Sequence, residues 1–398
     1  MKKPFFILIC VTLLLSVGCW DRYELNETSI VTGMAIDKGE NYKYKLTLEV
    51  LNITELDREA TVNHSASVVY SEEGESIGEL INKMNTGYTR KMNFSHMRAV
   101  VISKEIAKEG LLDFLDFMER YQEMRNDFNF IVAQNTSAED VLKITYHLQR
   151  LSSFKLNTQL QAMVEEWGGD PDIRLKDFIR ALLSSGKEPV LAEVKVDGSI
   201  EKGKSINNMA KTDPDTMVLL DGLAIFEGVE YKGVLPLKDA RTYLILRDKL
   251  NKTSFTFSCN EKNKMSAVRV YNSKTKINAK YKDGVPYFDI KFDFDSRLES
   301  SQCGSDFSSI ETYIEYEKSL AKTVKKELKE SIQRVQEEFG IDSFGLGTEM
   351  ERQDYHNFKK VEDHWNDEFA RAIINIDVTA KIRRTGLMTK SFLHELKK

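Results

Sequence analysis

In YKYKLTLEV, residues 42–50, every second residue is aromatic or aliphatic. Tyr42, Tyr44, Leu46, Leu48 and Val50 share one side, and Lys43, Lys45, Thr47 and Glu49 share the other. A period of two marks a β-strand with one buried face. Upstream lies a second apolar run, SIVTGMAID (29–37), and KGEN (38–41) between them reads as a turn. Residues 30–51 are therefore predicted as a hairpin.

Outward from this hairpin, strand and helix patterns alternate. A strand near SASVVY (65–70) precedes a helix from Ser76 to about Asn85, with Ile77, Leu80, Ile81 and Met84 on its apolar face. MRAVVIS (97–103) is a strand, Glu105 to Arg120 a helix, FNFIVAQ (128–134) a strand. The next helix opens with Thr136-Ser-Ala-Glu139, a capping box. Two more helices are expected over 146–166 and 173–184, then the strand VLAEVKV (190–196). Residues 197–216 are polar and rich in turn formers, and read as a loop and domain boundary.

A shorter module follows: strands VLLDGLAIF (218–226) and YKGVLPL (231–237), the helix DARTYLILRD (239–248) and the strand TSFTFS (253–258). Beyond Met265 come SAVRVYN, TKINAKYKD and YFDIKFDFDSRLES, three strands in which Asp293 and Asp295 share one face. A helix from Ser308 to Phe339 carries Leu320, Val324, Leu328, Ile332, Val335 and Phe339 at spacings of 3 or 4, one amphipathic stripe. Another holds Phe358, Val361, Trp365 and Phe369, and IINIDVTAKI (373–382) is a last alternating strand. The last region reads as a sheet with helices on one face. The fold class expected is α/β (α+β), three mixed-sheet domains with helices packed on the sheets. Their spans are 19–200, 201–262 (the small middle unit) and 263–398.

Composition is that of an ordinary globular chain: 398 residues, 41% hydrophobic, 30% charged, net charge −5. With no Lys/Arg run, it is not built to bind nucleic acid.

The N-terminus is different. Lys2 and Lys3 precede FFILICVTLLLSV (5–17), the length of a signal-peptide core and short for a membrane span. Gly18-Cys19 follows, the small-residue–cysteine pattern of a bacterial lipoprotein signal, although Ser16 stands where Leu is usual. Residues 1–18 are thus expected to be a signal peptide and Cys19 the lipidated residue. Loss of 1–18, whose only charges are Lys2 and Lys3, takes the net charge from −5 to −7. Two acyl chains make a stable anchor, so the chain is expected on the outer face of a membrane. Cys259 and Cys303 then remain, too few for a disulfide framework or a zinc site. The sequence favours two separate thiols without deciding whether they pair.

Candidate chemistry is sparse. GESIG (74–78) fits the G-x-S-x-G nucleophile elbow, but Ser76 followed by Glu79 is also a capping box, and that reading is preferred. A hydrolase built on Ser76 and a lipid-anchored solute-binding protein are the competing functions. The six histidines show no metal spacing. RKMNFSHMR (90–98) packs Arg90, Lys91, His96 and Arg98 around Phe94 just before a strand, an Arg/aromatic cluster of the kind that anchors interfaces. A solvated loop is its plain alternative.

GCWDRYELNE (18–27), VTGMAID (31–37) and RKMNFSHMRAVVISKEIAKEGLLDFLDFMER (90–120) together resemble the Ger(x)C family, the lipoprotein C subunits of nutrient germinant receptors in spore formers. So do GLAIFEGVEYKGVLPLKDARTYLIL (222–246), FGIDSFGLGTEMERQDYHNFKKVEDHWNDEF (339–369) and VTAKIRRTGL (378–387). The resemblance implies three α/β-type domains, no enzymatic activity and no cofactor. It implies attachment through acylated Cys19 to the outer surface of the spore inner membrane, and assembly with two integral membrane partners, the A and B subunits. Trp20 and Asp21 match the pattern after the lipidated cysteine. Arg90, Lys91, Phe94, His96 and Arg98 match the histidine-containing motif, and Asn93 departs from it. Trp20, Asp21 and these five are the expected partner interface.

Overall fold

The computed structural model describes residues 27–52, 65–88, 90–169, 171–259, 263–303, 305 and 307–384. Its strands form two sheets.

The first sheet is built on β1 (Thr28–Lys38) and β2 (Tyr44–Leu51), the expected hairpin, paired from Val31–Val50 to Lys38–Tyr44. β3 (Ser67–Gly74) adds antiparallel to β2. On the other side of β1 lie β5 (Ala99–Ser103), β6 (Asn129–Gln134) and β7 (Val190–Gly198), each parallel to its neighbour. The short β4 (Lys91–Asn93) pairs with the first residues of β1. Helices carry the parallel crossovers: α1 (Ile77–Lys83), α2 (Lys104–Glu109), α3 (Leu112–Arg120), α4 (Ala138–Lys143), α5 (Ser152–Glu166) and α6 (Leu175–Leu182). The helix expected over 105–120 is divided at Gly110, whose φ of 103° is open to glycine and strained for other residues.

Both faces of this sheet are covered. Met34, Ile36, Val100, Ile102, Phe130 and Val132 enter one cluster. Ala35, Ala99, Val101, Ile131 and Ala133 enter another, under α4 and α5. β2 corrects the half-buried reading: Tyr44, Leu46, Leu48 and Val50 are buried, but so are Thr47 and Glu49. Tyr42 lies in the turn, half exposed.

Mixed α/β architecture is as expected, but the strands are shared between two sheets where three units were read. Residues 197–216 connect two strands of one sheet. They hold two short helices, α7 (Ile200–Gly203) and α8 (Ile206–Ala210), and return the chain to the same sheet. β8 (Thr216–Glu227) pairs antiparallel with β7, and β9 (Glu230–Pro236) with β8. After α9 (Leu237–Leu246), β10 (Thr253–Ser258) opens the second sheet. The polar loop suggested a break, yet β8 is an apolar strand whose natural partner is the open edge of β7.

The second sheet has the order β10-β11-β12-β13. SAVRVYN and TKINAKYKD are one long strand, β11 (Met265–Lys282), antiparallel to β12 (Val285–Ser301) around a turn at Asp283-Gly284. β13 (Ile373–Arg384) lies parallel to β12. Alternate residues of β11 and β12 are buried, and α10 (Ile310–Arg334) covers that face through Tyr316, Leu320, Val324, Leu328 and Ile332. α11 (Leu346–Gln353), α12 (Tyr355–Phe358) and α13 (Trp365–Ala370) complete the layer. Cys259 and Cys303 form a disulfide from the end of β10 to the segment after β12. This corrects the preference for separate thiols, because strand pairing brings together two cysteines 44 residues apart.

Candidate functional site

RKMNFSHMR divides into a buried and an exposed half. Met92, Phe94 and Met97 belong to the core, and Phe94 is 1% exposed, edge-on to Tyr121. Phe94 is therefore a core residue and not the surface anchor expected: the parallel pairing of Lys91–Asn93 with Thr28–Ile30 turns its ring inward. Asn93 Oδ1 accepts the Ser95 N–H at 2.9 Å and the Met97 N–H donates to Phe94 O, which tightens the loop. Arg90, Lys91, His96 and Arg98 are exposed. Lys91 pairs with Glu123 at 3.4 Å, and the Arg98 guanidinium lies 5.5 Å from the Phe154 ring centre. Four basic side chains thus stand at the end of the sheet where β1 begins. Cys19, Trp20 and Asp21 lie outside the described residues.

VTGMAID acts differently from a surface motif. Its Asp37 accepts the Ala138 and Glu139 N–H groups at 2.7 and 2.8 Å, capping α4 from a neighbouring strand. Ser137 rather than Thr136 is the N-cap of that helix, accepting the Asp140 N–H, so the cap stands one residue later than expected. Burial lifts the Asp37 carboxyl to about 6, against the pull of these two amides. Thr32 donates to Glu49 Oε2 at 2.9 Å. Glu49 in turn receives the Ser152 and Ser153 N–H groups at 2.7 and 3.1 Å and the Ser153 hydroxyl. A Cβ on Gly33 would lie 2.9 Å from Ser153 Cβ and 3.1 Å from Glu49 Oε2. The motif is a socket for the N-termini of two helices, where carboxylates meet unpaired amides and the positive end of the helix dipole.

FGIDSFGLGTEMERQDY forms a second socket. Asp342 accepts the amides of Gly345 (2.8 Å), Leu346 (3.1 Å) and Gly347 (2.7 Å) and the indole N–H of Trp365 (2.8 Å). It joins the two sheets, since the Glu188 N–H donates to Asp342 O and the Thr348 N–H to Gly186 O. A Cβ on Gly186 would come 2.4 Å from the Gly347 carbonyl carbon. Neither Glu49 nor Asp342 stood out in the sequence. Glu49 read as solvent-facing by alternation, and only its fixed place beside Gly33 gives it a partner.

Ser76 starts α1 as expected, but its side chain makes no cap bond, so the Ser76/Glu79 box is not formed. β3 runs on to Gly74, closer to Ser76 than expected. No histidine or carboxylate among the described residues hydrogen-bonds Ser76. Nor do three or more His, Cys, Asp or Glu side chains converge among the described residues as metal ligands would. No described helix is long and apolar enough to cross a membrane. The architecture is that of a two-sheet α/β scaffold whose recurring motifs hold helices and sheets together.

Known proteins with this arrangement define the class. Residues 21–196 match the spore germination protein N-terminal domain, and residues 221–386 match the spore germination B3/GerAC-like C-terminal domain. The chain belongs to this family, the Ger(x)C family of spore germination proteins. It is 29% identical to spore germination protein KC of Bacillus subtilis over 401 residues, covering 98% of both chains. It is 24% identical to spore germination protein A3 of the same organism, over 97% of this chain and 98% of that one. The crystal structure of the GerBC protein shares the fold, with a TM-score of 0.55 and 18% identity, over 88% of this chain and 97% of that chain.

Proposed function

We propose that this protein is a non-catalytic, lipid-anchored subunit of a nutrient germinant receptor in the spore inner membrane. It works with membrane-embedded A and B subunits to trigger germination. The observation that carries the reading is the end-to-end match to spore germination protein KC. A match of both halves in one order supports a shared role for the whole chain.

The anchor is the diacylglyceryl-modified Cys19, which holds the folded part on the outer face of the membrane. Two acyl chains suffice for stable attachment. Seven residues lie between Cys19 and Glu27, a leash of at most about 30 Å. The exposed half of RKMNFSHMR stands beside the start of β1 and so lies near that leash. Trp20, Asp21, Arg90, Lys91, His96 and Arg98 are its candidate contact residues.

Mass spectrometry of the mature N-terminus from spore inner membranes tests the anchor. A diacylglyceryl-Cys19 terminus is expected, and an unmodified Cys19 contradicts it. Co-purification of the chain with integral membrane proteins tests assembly. Arg90→Ala/His96→Ala should weaken it without loss of fold.

A further inference from the structure

β13 is the outer strand of the second sheet. Its register with β12 runs unbroken from Tyr287–Ile373 to Ser296–Ile382. Lys381 O faces inward, where it accepts the Ser296 hydroxyl at 3.0 Å. The Ile382 N–H faces outward, where it donates to Glu317 Oε1 at 2.9 Å. Residues two apart point their backbone groups the same way. The N–H and C=O groups of Ile374, Ile376, Val378 and Ala380 therefore also point outward, and no described residue hydrogen-bonds them.

The opposite edge of the same sheet is closed. On β10, Arg241 Nη1 donates to Ser254 O at 2.8 Å and Ser319 Oγ to Ser258 O at 2.6 Å. Proteins normally blunt long edges, because a row of free N–H and C=O groups is a template for another strand. Here one edge is blunted with side chains and the other is left open over four outward positions.

The surroundings of the open edge specify what fits it. On the face of β13 that α10 covers, Ile374 and Val378 are only partly buried, so a strand added at this edge meets apolar side chains there. On the solvent face of β13, Asp377 is exposed and makes no ion pair with a described residue, while Lys381 and Arg383 further along are exposed and pair with Glu317 at 3.3 Å and Asp295 at 2.7 Å, surface pairs that an incoming carboxylate can compete for.

We propose that β13 receives an extended segment of a partner protein as a fifth strand. The segment is apolar on the side facing α10, basic opposite Asp377 and acidic opposite Lys381 and Arg383. Main-chain hydrogen bonds hold it, and the alternating side chains select it. This rests on the receptor-subunit reading, in which the partner is a membrane subunit.

The test is amide hydrogen exchange, read residue by residue on the full chain alone and in the assembly purified from spore membranes. Alone, the amides of 374, 376, 378 and 380 exchange quickly while their odd-numbered neighbours are protected. In the assembly the four slow by at least about tenfold. Val378→Pro removes one outward N–H at an edge, where proline is tolerated, and Asp377→Lys reverses one exposed charge. Each lowers recovery with the partners, and the odd-numbered amides stay protected in both, which shows the sheet intact. Four amides that exchange equally fast alone and in the assembly overturn the proposal. Amides that slow with concentration of the isolated chain also overturn it, because the occupant is then a second copy. If the wild-type chain recovers no membrane partner, the receptor reading has failed. The synthetic peptide EIEVTVKVT then decides: protection of the four amides by this peptide, and not by KIKVTVEVT, supports the edge, and no protection overturns it.

Discussion

Glu49 and Ser152 are joined across 103 residues: the Ser152 N–H donates to Glu49 Oε1 at 2.7 Å. A strand carboxylate thereby caps a helix of the opposite layer. Glu49→Gln keeps the shape but replaces one acceptor oxygen with a donor that faces other donors. A buried polar group left unpaired costs about 1–3 kcal/mol, so Glu49→Gln should unfold at lower urea with an unchanged m-value.

Asp342 holds three amides and the Trp365 indole where the two sheets meet. Asp342→Asn is expected to cost about 2–4 kcal/mol, as breaking buried charged networks does. Trp365 fluorescence should report the change, because one of the two oxygens shared by its N–H and three amides becomes a donor.

The Cys259–Cys303 bridge closes a loop across 44 residues. Chain entropy gives such a bridge about 4 kcal/mol. Cys259→Ser/Cys303→Ser should lower denaturant stability by up to that amount, and reductant should lower the wild type to the same level while leaving the double variant unchanged.

Glu193 on β7 is fully buried, and neither carboxyl oxygen has a hydrogen-bond partner among the described residues. Burial raises it to about 7, with Tyr231 and Lys104 pulling only partly against this. In the unfolded chain it ionises near its ordinary 4.5. Between these values the folded state holds the proton and the unfolded state does not, so stability falls as pH rises from about 4.5 to 7 and the loss is complete above 7. The shift corresponds to about 3 kcal/mol. Glu193→Gln should abolish this component, so that its stability gain over wild type grows with pH and levels off above 7.

Phe94 and His96 sit two residues apart and should behave oppositely. Phe94→Ala should cost about 3–5 kcal/mol, and His96→Ala about 0.5 kcal/mol or less. Thermal melts of the two variants check this, and only His96→Ala then permits a clean reading of assembly.

The strands, the long amphipathic helix and the hairpin were legible because apolar period alone specifies them. What escaped was set by partners distant in sequence. Glu49 and Thr47 read as solvent-facing, since alternation cannot know that α5 and β3 supply donors and acceptors for them. Residues 197–216 read as a polar boundary, and the two family domains do meet there, at 196 and 221, but the pairing of β8 with β7 across it is decided by the open edge of β7. Phe94 read as exposed among charges, and only its register beside β1 turns it inward. The disulfide depends on a pairing of β10, β11 and β12 that no local pattern records.

The central claim is a subunit without which spores do not answer nutrients. The most direct measurement is the germination of spores lacking this chain, and of spores carrying Cys19→Ala, on a panel of amino acids and sugars. The account predicts loss of response in both to at least one nutrient that wild-type spores answer, with return of the response when the wild-type chain is restored. Wild-type rates on every nutrient in both strains would contradict it.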